Sequence, residues 1–547
     1  IINYFGASGT NPDPDFSSSN ITKNFFNKNY KFEDKNELQS AVNQWIDNSL
    51  NASLIYDRIH KWDTSLITDM SDLFRYKSSF NDDISRWNTS NVTNMNGMFN
   101  RAESFNQDIS TKTVELPNGI IYTAWDVSSV TDMSYMFHNA KSFNQDIGSW
   151  NVSSVIDMKK MFGDAKVFNQ NISTKEITVN GTTYNAWDVI NVTSMEDMFH
   201  SADTFNQDIG SWNVGKVENM KSMFQSANVF NQPIGSWNVS NVLNMESMFF
   251  LARNFNQDLG SWDVSSVTNM GSGMFRNSNP LNISSWDVSS VTSMSSMFEE
   301  TEFNEDIGSW DVSSVRNMYN MFAVNPEFNQ DISNWNVSNV VNMHGMFLYA
   351  NKFNQPINTK IISLSDGTTY KAWDVRSVTN MKNMFNDSAF NQDISLWNTS
   401  NVTDMSSMFT STGFNYNIST KPVELSDGST YTAWDVSNCT KMEFMFSFAR
   451  QFNQDISNWD LSNVTTMRFM FRDSGINQED IRFWTVGKDT NFTDIFNGDR
   501  MEVVRTRPLM DEFFLSENFY EFFNLSRTRP SGKRPDQERL GERIYFT

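Results

Sequence analysis

The sequence has few cysteines and few histidines, the residues that build disulfide frameworks and many catalytic sites. Its 547 residues include one cysteine, Cys439, and four histidines, so an intramolecular disulfide is excluded. Cys439 stands where equivalent segments of the chain have valine, which predicts a small buried side chain rather than a nucleophile. Metalloprotease, P-loop and Rossmann motifs do not occur in a suitable context. We therefore expect a protein that is not an enzyme and needs no cofactor.

Long apolar runs and clustered positive charge are also missing. No run of 18 apolar residues occurs, so we expect no membrane insertion in this segment. The net charge is −22 and the pI is about 4.6. Binding to nucleic acid requires clustered lysine and arginine to neutralise phosphates. Nucleic acid is therefore not an expected partner, and docking on an anionic membrane is disfavoured for the same reason.

Tryptophan marks a repeat of about 25 residues. Sixteen of the 17 tryptophans, from Trp62 to Trp484, recur with eleven intervals of 24 or 25 residues and four of 37 or 38. One copy begins F-N-Q-D-I-G-S-W-N-V at Phe205 and continues V-x-x-M-x-x-M-F to Phe224. A single copy has too few apolar residues to fold alone, whereas stacked copies bury each apolar residue on its counterpart. The repeated Trp, Met and Phe are therefore predicted to be core residues.

Three segments of the repeat predict local structure. The alternation in I-x-x-W-x-V predicts a short parallel strand. The spacings of three and four in M-x-x-M-F-x-x-A predict one or two turns of helix on the opposite side. The asparagine of F-N-Q recurs at one place, where a stacked amide is able to bond the backbone and the neighbouring coil. These asparagines include Asn144, Asn169, Asn206, Asn231 and Asn256.

The phrase F-N-Q-D-I-x-x-W-[ND]-V-S-x-V-T-x-M-x-x-M-F, repeated from Trp62 to Trp484, closely resembles the BspA-like, mycoplasma-lipoprotein-associated branch of leucine-rich-repeat surface proteins. The resemblance implies an LRR-like right-handed solenoid of about 16 coils with short parallel strands and short helical turns. It also implies an extracellular, cell-surface or virion-surface location and a role in adhesion or host interaction. The family has no shared catalytic residues to transfer to this chain.

Four segments are predicted along the chain. Residues 1–33 form a polar N-terminal arm, and residues 34–60 form a helical cap with Asp34 as its N-cap. Residues 61–498 form the solenoid, and residues 499–547 form a C-terminal cap and an arginine-rich tail. The apolar face of the cap helix consists of Leu38, Val42, Trp45 and Ile46.

The C-terminal segment combines aromatic and basic sequence. Residues 509–526 are too apolar to stay exposed and are predicted to cover the last coil. The motif R-T-R-P stands on both sides of them. We expect this basic tail to clamp an acidic column, either of its own solenoid or of a neighbouring subunit. The arginines of the two motifs are Arg505, Arg507, Arg527 and Arg529.

Each of the four long intervals inserts 12 or 13 residues before a tryptophan. The inserts have alternating β-prone residues around Asn-Gly or Asp-Gly, which predicts β-hairpins. They occur in pairs two coils apart, so we expect two raised flaps on one edge of the solenoid. The alternative is that the hairpins only decorate the solenoid and bind no partner. The interaction candidates at the turns are Asn118, Gly119, Asp366, Gly367, Asp427 and Gly428.

Acidic side chains form columns along the repeats. The residue after the tryptophan is Asp in nine copies and Asn in six, and such free exchange favours a turn role. Calcium bridging is the alternative, with Asp263, Asp287 and Asp311 as the candidate ligands.

N-x-S/T sequons recur with the repeat and would accept glycans in a eukaryotic secretory route. The alternative is that N-V-S is only part of the repeat, since aspartate replaces that asparagine in many copies. The glycosylation candidates are Asn151, Asn238, Asn336, Asn398 and Asn463.

Two functions from different classes are consistent with these features. The first is a non-enzymatic extracellular surface protein that serves adhesion or recognition and binds a protein or a glycan. The second is a structural subunit of a surface filament, a cell-surface layer or a virus particle, which assembles with copies of itself through its ends. The uniform repeats favour the structural subunit, whereas the family resemblance favours recognition.

Overall fold

The computed structural model of the chain describes residues 30–476, 481, 484–487 and 489–496. The backbone divides into two compact units that are built from the same repeat. Of the described residues, one unit comprises residues 30–155 with Gln170–Asp188, and the other comprises Ile156–Asn169 with residues from Val189 onward.

Two helices precede the first repeat. Helix α1 spans Lys35–Asp47 and helix α2 spans Ser49–Tyr56. The carboxylate of Asp34 accepts a hydrogen bond from the Glu37 backbone N–H at 3.0 Å, which satisfies one of the donors that a helix start leaves open. The predicted helix and its N-cap are confirmed. Helix α2, which has Asn48 as its N-cap, is a second helix within residues 34–60, where the sequence predicts a helical cap.

Helix α1 packs on the first repeat. Leu38 and Val42 are fully buried. The Gln39 amide donates to the carbonyl of Leu73 at 3.0 Å. The helix therefore covers apolar surface of the first repeat that would otherwise contact water.

Extended structure is concentrated in the four insertions, each of which forms a separate antiparallel two-stranded sheet. The predicted hairpins are therefore confirmed. Among the described residues, one further pair of strands is two residues long and parallel. The strands are β1 (Lys112–Glu115), β2 (Ile121–Ala124), β3 (Lys175–Val179), β4 (Thr182–Ala186), β5 (Lys360–Ser363), β6 (Thr369–Ala372), β7 (Lys421–Glu424), β8 (Thr430–Ala433), β9 (Asp460–Leu461) and β10 (Thr485–Val486).

The predicted fold class, an LRR-like right-handed solenoid with short parallel strands and short helical turns, is wrong. All four hairpin sheets are antiparallel. In the part of the chain that the structure describes, parallel pairing between repeats is limited to single-residue bridges, such as Asn219 with Asn244, and to the short β9–β10 pair. Within the described repeats no segment is an α-helix; the two 3₁₀ helices of the chain's described part are Ile59–Lys61 and Ile283–Ser285.

Successive turns take the place of the predicted helix in M-x-x-M-F-x-x-A. Every second backbone N–H of this segment donates to the next repeat. For example, Met220 donates to the carbonyl of Asn244 at 3.0 Å, and Phe224 donates to that of Met248 at 2.9 Å. The N–H groups between them close turns within the segment, as from Met223 to the carbonyl of Met220 at 3.2 Å. The segment therefore links neighbouring repeats through its backbone.

Left-handed residues explain why the helical spacing does not produce a helix. Ser222 and Ser226 have φ of 53° and 58°, and the equivalent Asp197 and Ser201 have φ of 55° and 52°. A left-handed residue does not continue a right-handed helix. Its geometry directs backbone groups to the next repeat instead. The apolar residues keep a period of three and four although the backbone is not helical.

Aromatic ladders form the core of each unit. In the second unit, the rings of Trp212 and Trp237 lie 6.5 Å apart at an interplanar angle of 3°. The rings of Phe224 and Phe249 lie 5.7 Å apart at 8°. Burial of each such side chain contributes roughly 1.5–3 kcal/mol, and stability therefore depends on the stack. Ladders in the first unit include Trp62 with Trp87 and Trp125 with Trp150.

Asparagine side chains form the predicted ladder beside the aromatic core. Asn206 Oδ1 accepts from the backbone N–H of Asn231 at 2.9 Å and from Gln232 Nε2 at 3.0 Å. Asn231 Oδ1 in turn accepts from the N–H of Asn256 at 3.1 Å. Each amide therefore satisfies a backbone donor of the next repeat, and the prediction is confirmed.

A hydrogen bond from the indole anchors the ladder tryptophans to the preceding repeat. Trp237 Nε1 donates to the carbonyl of Ile209 at 3.1 Å, and equivalent bonds occur at other repeats. Trp310 differs, because its buried Nε1 has no hydrogen-bond partner. The repeat that precedes Trp310 contains the 3₁₀ helix Ile283–Ser285.

The anchoring bond predicts different outcomes for two tryptophan substitutions. Trp237→Phe loses ring area and the bond to Ile209, whereas Trp310→Phe loses similar area and no bond. We expect Trp237→Phe to be less stable than Trp310→Phe by about 1 kcal/mol, the net contribution of such a bond. The urea midpoints of the two variants, followed by circular dichroism, measure the difference. Equal midpoints would mean that the indole bond does not stabilise the stack.

Candidate interaction surfaces

The four hairpins occupy one position of the repeat. In uninterrupted repeats two residues, such as Gly210 and Ser211, connect the isoleucine to the tryptophan. In the other four repeats this connection is replaced by a strand, a turn and a second strand. The insertions therefore leave the stacked isoleucine and tryptophan in place and extend only the link between them.

A tryptophan in a left-handed conformation closes each hairpin. Its N–H donates to the tryptophan carbonyl of the preceding repeat, as from Trp125 to Trp87 at 3.1 Å. In uninterrupted repeats this N–H donates to the isoleucine three residues earlier, as from Trp237 to Ile234. A left-handed bulky residue costs about 1–2 kcal/mol, so the surrounding packing holds the hairpin base in one geometry. The closing residues are Trp125, Trp187, Trp373 and Trp434, with φ of 49°, 51°, 46° and 48°.

A tyrosine of the second strand ties each hairpin to the preceding repeat. Tyr122 Oη donates to the carbonyl of Arg86 at 2.6 Å, and Tyr431 Oη donates to the carbonyl of Leu396. Burial raises the pKa of Tyr122, and it raises the pKa of Tyr431 to about 12. The hairpins are therefore fixed at the base and along one strand. The other two tyrosines of this type are Tyr184 and Tyr370.

The hairpin turns are exposed. Gly119 has φ of 81° and no neighbouring atom within 4 Å of the position of a Cβ. Asn118 Oδ1 accepts from the Ile120 N–H at 3.1 Å, a local bond that shapes the turn. Asp366 and Asp427 make the same bond in the later hairpins. All six turn candidates, Asn118, Gly119, Asp366, Gly367, Asp427 and Gly428, are exposed.

Further hairpin residues were missed as candidates. The turn of the second hairpin is Asn180-Gly181, with φ of 50° and 77°, and its Asn-Gly pair is the signal that could have found it. Ile120 and Leu364 are 55% and 49% exposed next to the turns. These apolar side chains add contact surface to the hairpin tips.

The two hairpins of the second unit are linked by an ion pair. Lys371 Nζ of β6 lies 3.7 Å from Asp427 Oδ2 at the turn after β7. The two hairpins nevertheless remain separate two-stranded sheets. The link is partly exposed and stabilises by no more than about 1 kcal/mol.

A groove of about 820 Å³ lies along the uninterrupted repeats of the second unit. Its lining includes Asp208, Gln257 and Asp258. Glycines form its floor because the next repeat is close: a Cβ at Gly235 would lie 2.6 Å from the carbonyl oxygen of Asp258. Hydroxyl, amide and carboxylate groups therefore face an open channel at the repeat position where hairpins occur elsewhere.

Backbone hydrogen bonds account for the aspartate column. Asp263, Asp287 and Asp311 each accept from the N–H of the serine two residues later, at 3.1, 3.0 and 2.9 Å. Hydrogen bonds from the Ser265 hydroxyl and N–H lower the pKa of Asp263. Asn238 makes the same turn with Ser240 at 3.2 Å, which explains the exchange of Asp with Asn. Among the described residues, no group of three or more His, Cys, Asp or Glu side chains could hold a metal ion.

The sequon asparagines form the same turns. Asn151, Asn238, Asn336 and Asn398 each accept from the N–H of the serine two residues later. Asn463 instead donates from Nδ2 to the carbonyl of Ser437 at 2.7 Å. A glycan on Asn463 would use the nitrogen that makes this contact.

Cys439 is fully buried, and burial raises the pKa of its thiol to about 12. Its prediction as a small core residue is confirmed. The predicted tail arginines Arg505, Arg507, Arg527 and Arg529 lie outside the described residues, as does the predicted C-terminal cap within 499–547.

Within the described part of the chain, no helix has the length and apolar character needed to cross a bilayer. Comparison with protein families finds one described as Mycoplasma protein of unknown function, DUF285. Its matches cover residues 46–175, 174–282, 271–366, 366–431 and 428–502. A comparison with the curated proteins finds no match.

Calcium removal tests the role of the aspartate column. Because each of these carboxylates already accepts a backbone N–H that shapes its turn, we expect EDTA to leave the melting temperature of the protein unchanged. We expect Asp287→Asn to change the free energy of unfolding by less than about 0.5 kcal/mol, and Asp287→Ala to lower it by about 1 kcal/mol. A melting temperature that falls with EDTA and recovers with added calcium would contradict the turn role.

Alkaline pH tests the tyrosine that ties the last hairpin to the stack. The pKa of Tyr431 is about 12 in the folded protein and 10.0 unperturbed, so its neutral form is favoured by folding. The stability that it contributes is complete below pH 10 and is lost as the pH rises through 12. In urea titrations between pH 9 and 11, Tyr431→Phe should show a shallower loss of stability than the wild type. Tyr416→Phe, at a tyrosine 39% exposed, is the control; identical slopes for the two variants would contradict the assignment.

Proposed function

The chain belongs to the family described as Mycoplasma protein of unknown function, DUF285, and we propose that it is a non-enzymatic surface protein that recognises a protein or a glycan through its hairpins. The stacked repeats serve as a scaffold in this proposal, since identical side chains make identical core contacts. The hairpins are the parts that depart from the repeat and reach solvent. We propose an extracellular or surface location on the same basis.

The observation that carries the proposal is the fixed attachment of all four hairpins. Each is closed by a left-handed tryptophan and tied by a tyrosine to the preceding repeat. A rigid loop loses little conformational entropy on binding, so preorganisation of this kind favours recognition. A hairpin that served only as decoration would not require two separate anchors to the scaffold.

The groove supports the same proposal for the second unit. Asp208 and Asp258 place carboxylate acceptors along one channel, whereas the Gln257 amide already donates to Asn231. Groups of this kind hydrogen-bond the hydroxyls of a glycan or the backbone of a peptide. The strongly negative chain favours a neutral or basic ligand surface over an acidic one.

A structural subunit is the second candidate. It is favoured by an apolar surface on helix α2, where Leu50, Leu54 and Ile55 are 79%, 65% and 56% exposed. Contiguous apolar residues of this size often mark contacts between proteins. In this alternative the protein would polymerise through its ends rather than bind a foreign partner.

Binding of the labelled full-length protein to an array of glycans and purified extracellular-matrix proteins tests the proposal. We expect binding to at least one array component, reduced about tenfold or more by the pair Asp366→Lys and Asp427→Lys. The control pair, Glu218→Lys and Glu302→Lys, makes the same charge change at exposed positions outside the hairpins and should bind like the wild type.

Two results would oppose recognition through the hairpins. One is binding that both charge-reversed pairs weaken equally, since a general charge effect would then explain it. The other is no binding to any array component together with concentration-dependent polymers in light scattering. If the substitution Leu54→Glu abolished these polymers, the second result would support the structural subunit instead.

A further inference from the structure

Three phenylalanines near the end of the described repeats occupy turn positions that are left-handed throughout the repeats. Phe444, Phe448 and Phe469 have φ of 57°, 57° and 53°, and no other phenylalanine among the described residues has a positive φ. Most equivalent turn positions hold Ser, Asn, Asp or Gly. A bulky side chain in this region is disfavoured. Phe448 is also 37% exposed, so core packing alone does not explain the choice of residue.

Two arginines lie over these rings. The guanidinium of Arg472 is 5.2 Å from the centroid of Phe448 and 5.8 Å from that of Phe469. Arg468 is 5.6 Å from the centroid of Phe469, and the rings of Phe444 and Phe469 stack at 4.9 Å. These five residues are termed the aromatic–arginine patch. Arg472 Nε is buried without a hydrogen-bond partner, so the patch holds a cationic donor that is not yet satisfied.

The described chain ends next to this patch. Phe469 donates to the carbonyl of Thr493 at 3.3 Å, and Phe471 donates to that of Ile495 at 2.9 Å. The ring of Phe496 lies 5.8 Å from that of Phe471. The sequence after residue 496 therefore starts from the same turn-rich side of the second unit that carries the patch.

The sequence after that point contains a segment of complementary chemistry. Residues 509–526 contain six aromatic residues and four acidic residues, and no lysine or arginine. The 13 residues from 496 to 509 span up to about 40 Å when extended, which is more than the distance between neighbouring repeats requires. Carboxylates and aromatic rings are the groups that pair with arginine and with exposed phenylalanine.

We propose that residues 509–526 of the same chain dock on the aromatic–arginine patch. Carboxylates of the segment pair with Arg468 and Arg472, and its rings cover Phe448. The docked segment removes exposed aromatic surface from water. The surface is thus occupied by this chain rather than by the partner of the hairpins, and the inference does not depend on the proposed function.

Photo-crosslinking in the full-length protein tests the docking. A benzophenone amino acid replaces Phe448 in one preparation and Val324 in another. Val324 is the matched control because it occupies the equivalent turn position, with φ of 54° and 41% exposure. We expect position 448 to capture a peptide from residues 509–526 within the same molecule, and position 324 not to capture it. Mixed light and heavy isotope labels separate capture within one molecule from capture between two.

Charge reversal tests the contacts. With the crosslinker at position 448, Glu517→Arg with Glu521→Arg should lower the yield about fivefold, as expected for the loss of two exposed ion pairs. Arg468→Glu with Arg472→Glu should do the same, and the four changes together should restore it. The glutamate variants alter no described residue, so they remain informative if the arginine variants do not fold.

Several results would overturn the proposal. Capture of a different segment, capture of a second copy, or no capture at position 448 would each exclude docking of residues 509–526 there. A yield that does not change in the glutamate variants would exclude the proposed ion pairs.

Discussion

Stacking of each aromatic residue on its counterpart in the next repeat is the constraint on which both units depend. The rings of Trp212 and Trp237, and those of Phe224 and Phe249, stay close to parallel at 6.5 and 5.7 Å. One repeat cannot bury these rings alone, so its backbone must hold the next repeat at a fixed distance. The M-x-x-M-F segment does so by donating every second N–H to its neighbour. Insertions are accommodated only where they leave this spacing unchanged, between the isoleucine and the tryptophan.

The negative charge of the protein is in part a consequence of this architecture. Asp263 and Asn238 shape equivalent turns by accepting a backbone N–H two residues later, so either residue meets the structural need. The acidic columns therefore carry less information about a ligand than their regularity indicates. Departures from the repeat are more informative, because they place bulky residues in left-handed conformations that disfavour bulky side chains. The hairpin-closing tryptophans and the aromatic–arginine patch are departures of this kind.

Most elements that depend on local sequence could be predicted. The capped helix α1 follows from Asp34 and its apolar spacing, and the hairpins follow from their Asn-Gly and Asp-Gly turns. The helix predicted for M-x-x-M-F was wrong because successive turns with left-handed residues produce the same apolar spacing. Ser222 and Ser226 are left-handed, although the sequence around them would also suit serines in a helix. Only the position of the neighbouring carbonyl groups separates the two conformations.

The sequence by itself determined the repeat, the residues of the core, the buried state of Cys439 and the places of the four hairpins. These properties depend on spacing and on turn chemistry, which are written along the chain. The tertiary structure alone decided the hydrogen-bond pattern between repeats and the anchoring of the hairpins. It also left the buried Trp310 Nε1 without a hydrogen-bond partner. It also brought Arg472 over Phe448. Each of these depends on atoms about one repeat away, whose distance and direction are set by how the copies stack rather than by either copy alone.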